Sequence, residues 1–138
     1  MPIVSDTIEI RVRYSEVDSF GYLHHARYFV FFEMGRTELL RRAGIAYRDM
    51  ESRGLFYVVA SLQCRYRAPG RYDDVLMLTT RTDRFTRVRV DHGYELRRGE
   101  TLLAEASSTL VLVGRDGRPT TLPEDLYQVL GGEAEGRG

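Results

Sequence analysis

The sequence has 138 residues, among them 20 basic and 20 acidic side chains, and its formal net charge at pH 7 is zero. A chain of this length normally forms one domain, and its balanced charge excludes the general attraction that draws basic proteins to nucleic acid or anionic membranes. The lone Cys64 excludes an internal disulfide, and the first residues lack the pattern of a secretion signal. No stretch approaches the roughly 20 apolar residues of a membrane-spanning helix. We therefore expect one cytoplasmic domain over residues 1–138.

The first predicted element is a strand, followed by a loop and a long helix. Side chains in Thr7–Tyr14 alternate between apolar and polar, which is the period of a half-buried strand. After the loop Ser15–Leu23, the segment His24–Arg42 contains no proline and is followed by Ala43-Gly44, where glycine can cap a helix. Apolar and aromatic side chains fill much of the circumference of this helix, so we expect it to be covered on more than one side.

The second half of the chain is predicted to consist mainly of strands. The predicted strands are Tyr57–Arg67, Asp74–Phe85, Val88–Arg97 and Thr101–Val113. A tight hairpin is expected at Arg98-Gly99-Glu100, a short helix at Pro123–Leu130 and a flexible tail at 131–138. A long helix followed by a run of strands indicates an α+β protein, in which the helix covers an antiparallel sheet.

The loop and the helix contain the pattern D-x-x-G-x-x-x-H-x-x-Y, followed by E-x-x-R. These positions are Asp18, Gly21, His25, Tyr28, Glu33 and Arg36. The pattern resembles the hotdog-fold acyl-CoA thioesterases of the 4-hydroxybenzoyl-CoA thioesterase family, and most closely the branch associated with the Tol-Pal envelope system. The resemblance extends over nearly the whole chain, because the strand order after the helix also matches.

The resemblance implies a five-stranded antiparallel sheet wrapped around a central helix, and hydrolysis of a thioester without a metal or a cofactor beyond the coenzyme A of the substrate. By position it assigns Asp18 as the catalytic carboxylate, acting as nucleophile or as base. It places the backbone N–H of His25 at the start of the helix, facing the thioester carbonyl, and Tyr14 at the end of the first strand as a further catalytic candidate. Gly21 and Tyr28 are expected beside the substrate. Homodimers with sites at the interface, paired into homotetramers, are expected as well.

These residue types suit the chemistry of a thioester. Hydrolysis needs a base or nucleophile on one side of the carbonyl, which a carboxylate such as Asp18 supplies. On the other side, unpaired N–H groups at the positive end of a helix dipole stabilise the negative charge that develops on the oxygen. His25 can act there through its backbone or through its imidazole, and the residue type does not decide between them. Gly21 allows the loop to turn sharply.

Each candidate also has a structural explanation. Asp18 could form an Asx turn or cap the helix, and Tyr14 could pack at a strand end. His92 alternates with apolar residues, as a structural or interface histidine does, and His24 has no predicted role. Cys64 lies on the apolar face of its predicted strand, where a thiol is usually inert.

Coenzyme A carries phosphates, for which arginine is the natural counterion. We predict that Arg87 and Arg89 contact the nucleotide, because members of the resembled family often bind it near the turn before this strand. The sequence does not identify the acyl group of the substrate. Aromatic side chains of the loop and the helix could line a pocket for an aromatic or a medium-chain group.

Other functions fit the sequence less well. A non-catalytic module that binds acyl-CoA or acyl-carrier protein uses the same fold, but the acid at Asp18 favours an enzyme. A hotdog dehydratase requires a different arrangement of histidine and acid across its dimer. The sequence has no spacing typical of zinc ligands and no G-x-S-x-G elbow. We therefore predict an acyl-CoA thioesterase.

Overall fold

The structure, a computed structural model, describes residues 5–131. Its elements in chain order are β1 (Ser5–Arg11), α1 (Arg27–Arg42), α2 (Tyr47–Ser52), β2 (Phe56–Tyr66), β3 (Val75–Phe85), β4 (Arg89–Arg98), β5 (Thr101–Val113) and α3 (Glu124–Val129). A short 3-10 turn at Tyr14–Glu16 lies between β1 and α1. Of the predicted tail, residues 132–138 lie outside the described residues.

Within the described residues the strands form one five-stranded antiparallel sheet in the order β1-β3-β4-β5-β2. The hairpin predicted between β4 and β5 is confirmed, and Gly99 takes the positive φ of 59° that its turn requires. β1 and β2 form the two edges of the sheet. The predicted α+β class with an antiparallel sheet is confirmed.

α1 packs against one face of this sheet. Its buried residues recur at helical spacing and are Tyr28, Phe31, Phe32, Gly35 and Leu39. They meet buried side chains of β3 and β4, among them Leu76, Leu78, Tyr94 and Leu96. The rings of Phe32 and Tyr94 stack with their centroids 4.6 Å apart. Burial of such large side chains contributes about 1.5–3 kcal/mol each and holds the helix on the sheet.

Gly35 brings α1 unusually close to β3. A Cβ atom at this position would collide with Thr80 Oγ1 and would lie 2.8 Å from Leu78 Cδ2. The missing side chain therefore sets the height of the helix above the sheet, and with it the positions of both helix ends.

A second hydrophobic cluster lies at the C-terminal end of α1. Its buried members are Ile45, Met50, Leu55, Leu112, Leu122, Leu126 and Tyr127. They join α2 and α3 to β5. The sequence analysis did not predict α2, because this six-residue helix buries only Met50 and shows no helical period.

β1 ends at Arg11, three residues before the predicted end. Val12 N–H donates to the Asp74 carbonyl at 2.9 Å, and the buried Glu16 carboxylate accepts the Arg13 N–H at 2.7 Å, which turns the chain away from the sheet. The prediction that Tyr14 lies at a strand end is wrong, because Tyr14 belongs to the 3-10 turn.

α1 begins at Arg27, three residues after the predicted start. Ahead of it, the His24 imidazole Nδ1 accepts the Ala26 N–H at 3.1 Å, and the His24 carbonyl accepts the Arg27 N–H at 2.9 Å. These bonds close a turn ahead of α1, so His24 has a structural role that the sequence analysis did not assign. His25 lies inside this turn and precedes the helix by two residues.

β2 is more exposed than a half-buried strand, because it lies at an edge of the sheet. Val58, Val59 and Leu62 are all exposed. The outward side of α1 is also uncovered at Val30 and Met34. Within one protomer, the helix is therefore not covered on more than one side as predicted.

No helix within residues 5–131 combines the length and the apolar character that crossing a bilayer requires. The cytoplasmic location and the single-domain organisation stay predictions.

Candidate active site

Asp18 lies in a tight loop that precedes α1. Its N–H donates to the Tyr22 carbonyl at 2.8 Å, and its carbonyl accepts the Gly21 N–H at 2.9 Å. Gly21 has a φ of 84°, which favours glycine, so its predicted role in a sharp turn is confirmed. The loop is thus a closed unit made mainly by backbone hydrogen bonds.

The same loop orients the Asp18 carboxylate. Oδ1 accepts the N–H groups of Phe20 at 2.9 Å and Tyr22 at 3.1 Å, so the Asx turn considered for this residue is present. Oδ2 has no hydrogen-bond partner among residues 5–131. The structural and the catalytic explanations of Asp18 are therefore compatible, since one oxygen holds the loop and the other stays available.

His25 contributes an unused backbone donor to the same region. Within the part of the chain that the structure describes, its N–H has no acceptor. Its carbonyl accepts the Tyr66 hydroxyl at 2.9 Å, which anchors the turn to the end of β2. The His24 and His25 rings stack with centroids 4.3 Å apart. The turn before α1 is thereby fixed while one N–H is left unpaired.

Asp18, His25 and Tyr28 line one open pocket of about 280 Å³. The other residues that line it are Tyr22, Leu23, Tyr66, Arg67, Ala68 and Pro69. The structure thus brings three of the predicted site residues together, although they come from a loop, a turn and a helix. A carboxylate and an unpaired N–H at one pocket can act on two sides of a carbonyl group.

The loop is anchored on both sides of the pocket. The Leu23 N–H donates to the Gly70 carbonyl at 2.8 Å, and Tyr22 forms an isolated bridge with Arg71. The buried Glu16 holds Arg13 with its carboxylate and accepts the His24 N–H with its carbonyl at 2.8 Å. Sequence analysis missed Glu16, because a buried acid in a turn has no periodic signal.

Two phenols of the pocket stay protonated at neutral pH. Burial raises the pKa of Tyr28 above its ordinary value, with a smaller contribution from Cys64. Burial, and then Cys64, raises the pKa of Tyr66 to about 12. Burial also raises the pKa of the Cys64 thiol, which agrees with its prediction as inert. Both hydroxyls therefore keep their proton, and Tyr66 donates it to the His25 carbonyl.

Tyr14 does not line the pocket. Its side chain is 79 % exposed and contacts Tyr72 edge-on, with ring centroids 5.6 Å apart. Its catalytic role stays a prediction that the geometry of one protomer does not support.

Arg87 and Arg89 lie at the far end of the sheet. They flank the turn between β3 and β4, whereas the Asp18 loop contacts the residues just before β3, roughly 30 Å away at 3.3 Å per residue. Arg87 pairs with Glu124 at 2.9 Å and lies over the Tyr127 ring, and Arg89 forms a two-bond pair with Asp91. One protomer therefore does not bring either arginine to the Asp18 pocket.

Other arginines are closer to the pocket. Arg67 lines it and pairs with Glu105 at 2.7 Å, while the Arg71 guanidinium lies 4.8 Å from the centre of the Tyr22 ring. Among residues 5–131, no group of three or more His, Cys, Asp or Glu side chains could hold a metal ion.

The chain is similar to several known proteins. The acyl-CoA thioester hydrolase YbgC of Escherichia coli is 30 % identical over 119 residues, which cover 85 % of this chain and 89 % of that protein. A hypothetical protein from Thermus thermophilus has a crystal structure that is 34 % identical, with a TM-score of 0.86 and coverage of 91 % and 95 % of the two chains. The DHNA-CoA thioesterase from Staphylococcus aureus is 26 % identical, with a TM-score of 0.87 and coverage of 91 % and 87 %.

The thioesterase superfamily model matches residues 20–105, which is more than half of the chain. The match includes His25 and Tyr28 and begins two residues after Asp18. Together with the sheet and central helix, it identifies this chain as a hotdog-fold member of the thioesterase superfamily.

Proposed function

We propose that this protein hydrolyses acyl-CoA thioesters to a carboxylic acid and free coenzyme A, with Asp18 as base or nucleophile. The observation that supports this best is the shared pocket of Asp18 and His25 in a chain of the thioesterase superfamily. Because Oδ1 is held by two N–H groups, Oδ2 is the oxygen that reacts.

Two routes are open to Asp18. As a base, Oδ2 takes a proton from water while the water oxygen attacks the thioester carbon. As a nucleophile, Oδ2 attacks that carbon and forms an anhydride, which water then hydrolyses. In both routes the C–S bond breaks and coenzyme A leaves as a thiolate. Neither route needs a metal or a cofactor beyond the coenzyme A of the substrate.

The His25 N–H is the proposed donor to the carbonyl oxygen, because it is unpaired and precedes the positive end of α1 by two residues. Such a donor stabilises the transition state more than the ground state, since the charge on the oxygen grows during attack. The coenzyme A arm would then leave the pocket past Arg67 and Arg71, whose positive charges suit its phosphates.

We also propose that the enzyme is a homodimer formed through β2 and a tetramer formed from two dimers. β2 is an 11-residue edge strand with exposed apolar side chains, which can pair with a second copy. The exposed Val30 and Met34 on α1 give a surface for pairing of dimers.

Replacement of Asp18 tests the reaction. Asp18→Asn keeps an oxygen that can accept the two loop N–H groups but removes the base, so we expect hydrolysis to fall about 100- to 10,000-fold. The rate is measured as free thiol released from aliphatic and aryl acyl-CoAs, with circular dichroism and the melting temperature as fold controls. Near-normal turnover in the folded variant would refute the mechanism. A wild-type protein that binds acyl-CoA without hydrolysing it would instead be a binding module.

Single-turnover hydrolysis in 18O-labelled water separates the two routes. Base catalysis places the label directly in the released acid, whereas the anhydride route places label from the first turnover in the Asp18 carboxylate when water attacks the enzyme carbonyl. Mass spectrometry of the peptide that contains Asp18 gives the answer.

The assembly is tested with two equally exposed residues. Leu62 on β2 is 38 % exposed and Met77 on β3 is 39 % exposed. We expect Leu62→Arg to lower the mass measured by light scattering and Met77→Arg to leave the β2-mediated dimer intact. A wild-type monomer would contradict the proposed assembly.

A further inference from the structure

A second pocket, of about 190 Å³, lies beneath the C-terminal half of α1. We call it the Arg36 pocket. Its lining is mostly apolar and includes Leu39, Leu40, Phe85, Val90 and Leu110. It shares no lining residue with the Asp18 pocket. Within one protomer the two pockets are therefore separate, so ligand binding to the Arg36 pocket can be measured without turnover at Asp18.

Arg36 brings a positive charge to this apolar lining. Its Nη1 donates to the Tyr94 hydroxyl at 3.1 Å, and Tyr94 can then donate to Ser108 Oγ at 2.6 Å. Within residues 5–131 no carboxylate lies within 4.0 Å of the Arg36 guanidinium, although many other arginines of the chain have such a partner. A guanidinium has five N–H donors, so most of those of Arg36 have no partner among the described residues. A half-buried cation without a counterion is costly unless a ligand supplies the negative charge.

Two further polar groups of the pocket are unpaired. His92 is 7 % exposed and its Nδ1 has no hydrogen-bond partner in the described part of the chain, and the same holds for the buried Tyr57 hydroxyl. Burial, and then the positive charge of Arg36, lowers the pKa of His92 to about 4, so the imidazole is neutral at physiological pH. Buried polar atoms nearly always have partners, and unpaired ones call for an explanation.

We propose that the Arg36 pocket binds a small organic carboxylate with an aromatic or short aliphatic body. The carboxylate would pair with Arg36 and accept a hydrogen bond from the Tyr57 hydroxyl, while the apolar lining would cover the body of the ligand. An engineered protein cavity of about 150 Å³ holds benzene, so a volume of about 190 Å³ suits a molecule of the size of benzoate.

Glu33 is the acidic residue that lines this pocket, and it opposes such a ligand. It is exposed, as is Val59, so both lie at the mouth rather than in the interior. Water and salt screen an exposed charge more strongly than the half-buried Arg36. Removal of the Glu33 charge is therefore expected to tighten binding of a carboxylate.

Calorimetric titration with benzoate and hexanoate tests the site, with benzyl alcohol as the neutral probe. We expect the wild-type protein to bind a carboxylate saturably. The affinity of Arg36→Gln for the same carboxylate is expected to be about ten-fold lower or weaker still. Arg48→Gln removes an exposed arginine of α2 and is expected to leave the affinity unchanged. Glu33→Gln is expected to tighten binding a few-fold. Equal affinity for benzyl alcohol, or equal affinity of Arg36→Gln and wild type, would overturn the proposal.

A measurement on the wild-type protein keeps the test decisive if Arg36→Gln does not fold. The chain has three histidines, so the 15N signals of its imidazoles can be assigned with single substitutions. Benzoate is expected to shift the His92 signal saturably, and benzyl alcohol is not. A His92 signal that no carboxylate shifts would refute the site while leaving the reaction proposed at Asp18 untouched.

Discussion

The two ends of α1 present polar groups to a pocket in different ways. At the N-terminal end, backbone hydrogen bonds hold the Asp18 carboxylate, and the proposed donor of His25 is itself a backbone group. At the C-terminal end, the polar groups are side chains of Arg36, His92 and Tyr57 that emerge from a hydrophobic lining. The first pocket is open and turn-based, whereas the second depends on packing between helix and sheet.

This difference predicts how each end responds to mutation. Apart from Asp18, side-chain changes at the N-terminal end should matter less than changes in the path of the backbone. At the C-terminal end the opposite should hold, because the polar groups that face the pocket are themselves side chains.

Apart from replacement of Asp18, the largest effect is expected from the backbone at His25. His25→Ala keeps the N–H and should change turnover only a few-fold, whereas His25→Pro removes the N–H and should reduce it about 100- to 1,000-fold. Free-thiol release measures both rates. A large loss in His25→Ala would show that the imidazole takes part.

The proline variant needs a fold control, since proline also restricts the residue before it. Its melting temperature and near-ultraviolet circular dichroism are therefore compared with those of His25→Ala. Normal turnover in a folded His25→Pro protein would remove the backbone donor from the mechanism.

Gly35 lies between the two ends and should affect both. Gly35→Ala places a methyl group against Thr80 Oγ1, and such overpacking costs about 1–3 kcal/mol of unfolding free energy. For a chain of this size, that corresponds to a fall in melting temperature of about 4 °C per kcal/mol. Calorimetry measures the fall.

The control for this prediction is Gly114→Ala, where the nearest atom to a new Cβ would be 3.4 Å away. The double variant Gly35→Ala/Thr80→Ala removes the colliding oxygen, so it should recover part of the lost stability. Equal melting temperatures for the single and double variants would show that the contact with Thr80 Oγ1 is not the cause.

The sequence predicted regular elements better than turns. β5 has the predicted bounds, because its alternation is long and ends at a glycine turn. The observed end of β1 and start of α1 differ from the predicted ones because they depend on hydrogen bonds made by Glu16 and His24. The identity of these two residues does not predict such bonds. Tyr14 was misplaced for the same reason.

The candidate site was predictable only where its residues are close in sequence. Asp18, Gly21 and His25 form a local motif, but the bond between Tyr66 and the His25 carbonyl joins residues 41 positions apart. The Arg36 pocket was not predicted, because it exists only after the helix has packed on the sheet.

The buried imidazole of the second pocket predicts a pH dependence of stability. The folded pKa of His92, about 4, lies below the unfolded value of about 6.5, so only the unfolded state takes up this proton between those values. Stability should therefore fall as pH decreases from about 6.5 to about 4, by up to about 1.4 kcal/mol per pH unit from this residue. Urea unfolding of wild type and His92→Gln at several pH values measures the difference in slope. An unchanged slope in His92→Gln would contradict the prediction.

The smallest effects are expected from substitution of arginines that could contact the phosphates of coenzyme A. They also test the predicted contacts of Arg87 and Arg89. Because Arg67 and Arg71 are exposed and lie on the side of the Asp18 pocket, Arg67→Gln and Arg71→Gln should each raise KM by about five-fold at most, with little change in kcat. Added salt should reduce the difference from wild type. Arg89→Gln serves as the comparison, since its ion pair with Asp91 lies at the far end of the same protomer. If Arg89→Gln alone raised KM, the nucleotide would have to contact the far end of a sheet. The sheet of the same protomer does not permit this contact, but the sheet of a neighbour paired along β2 could provide it.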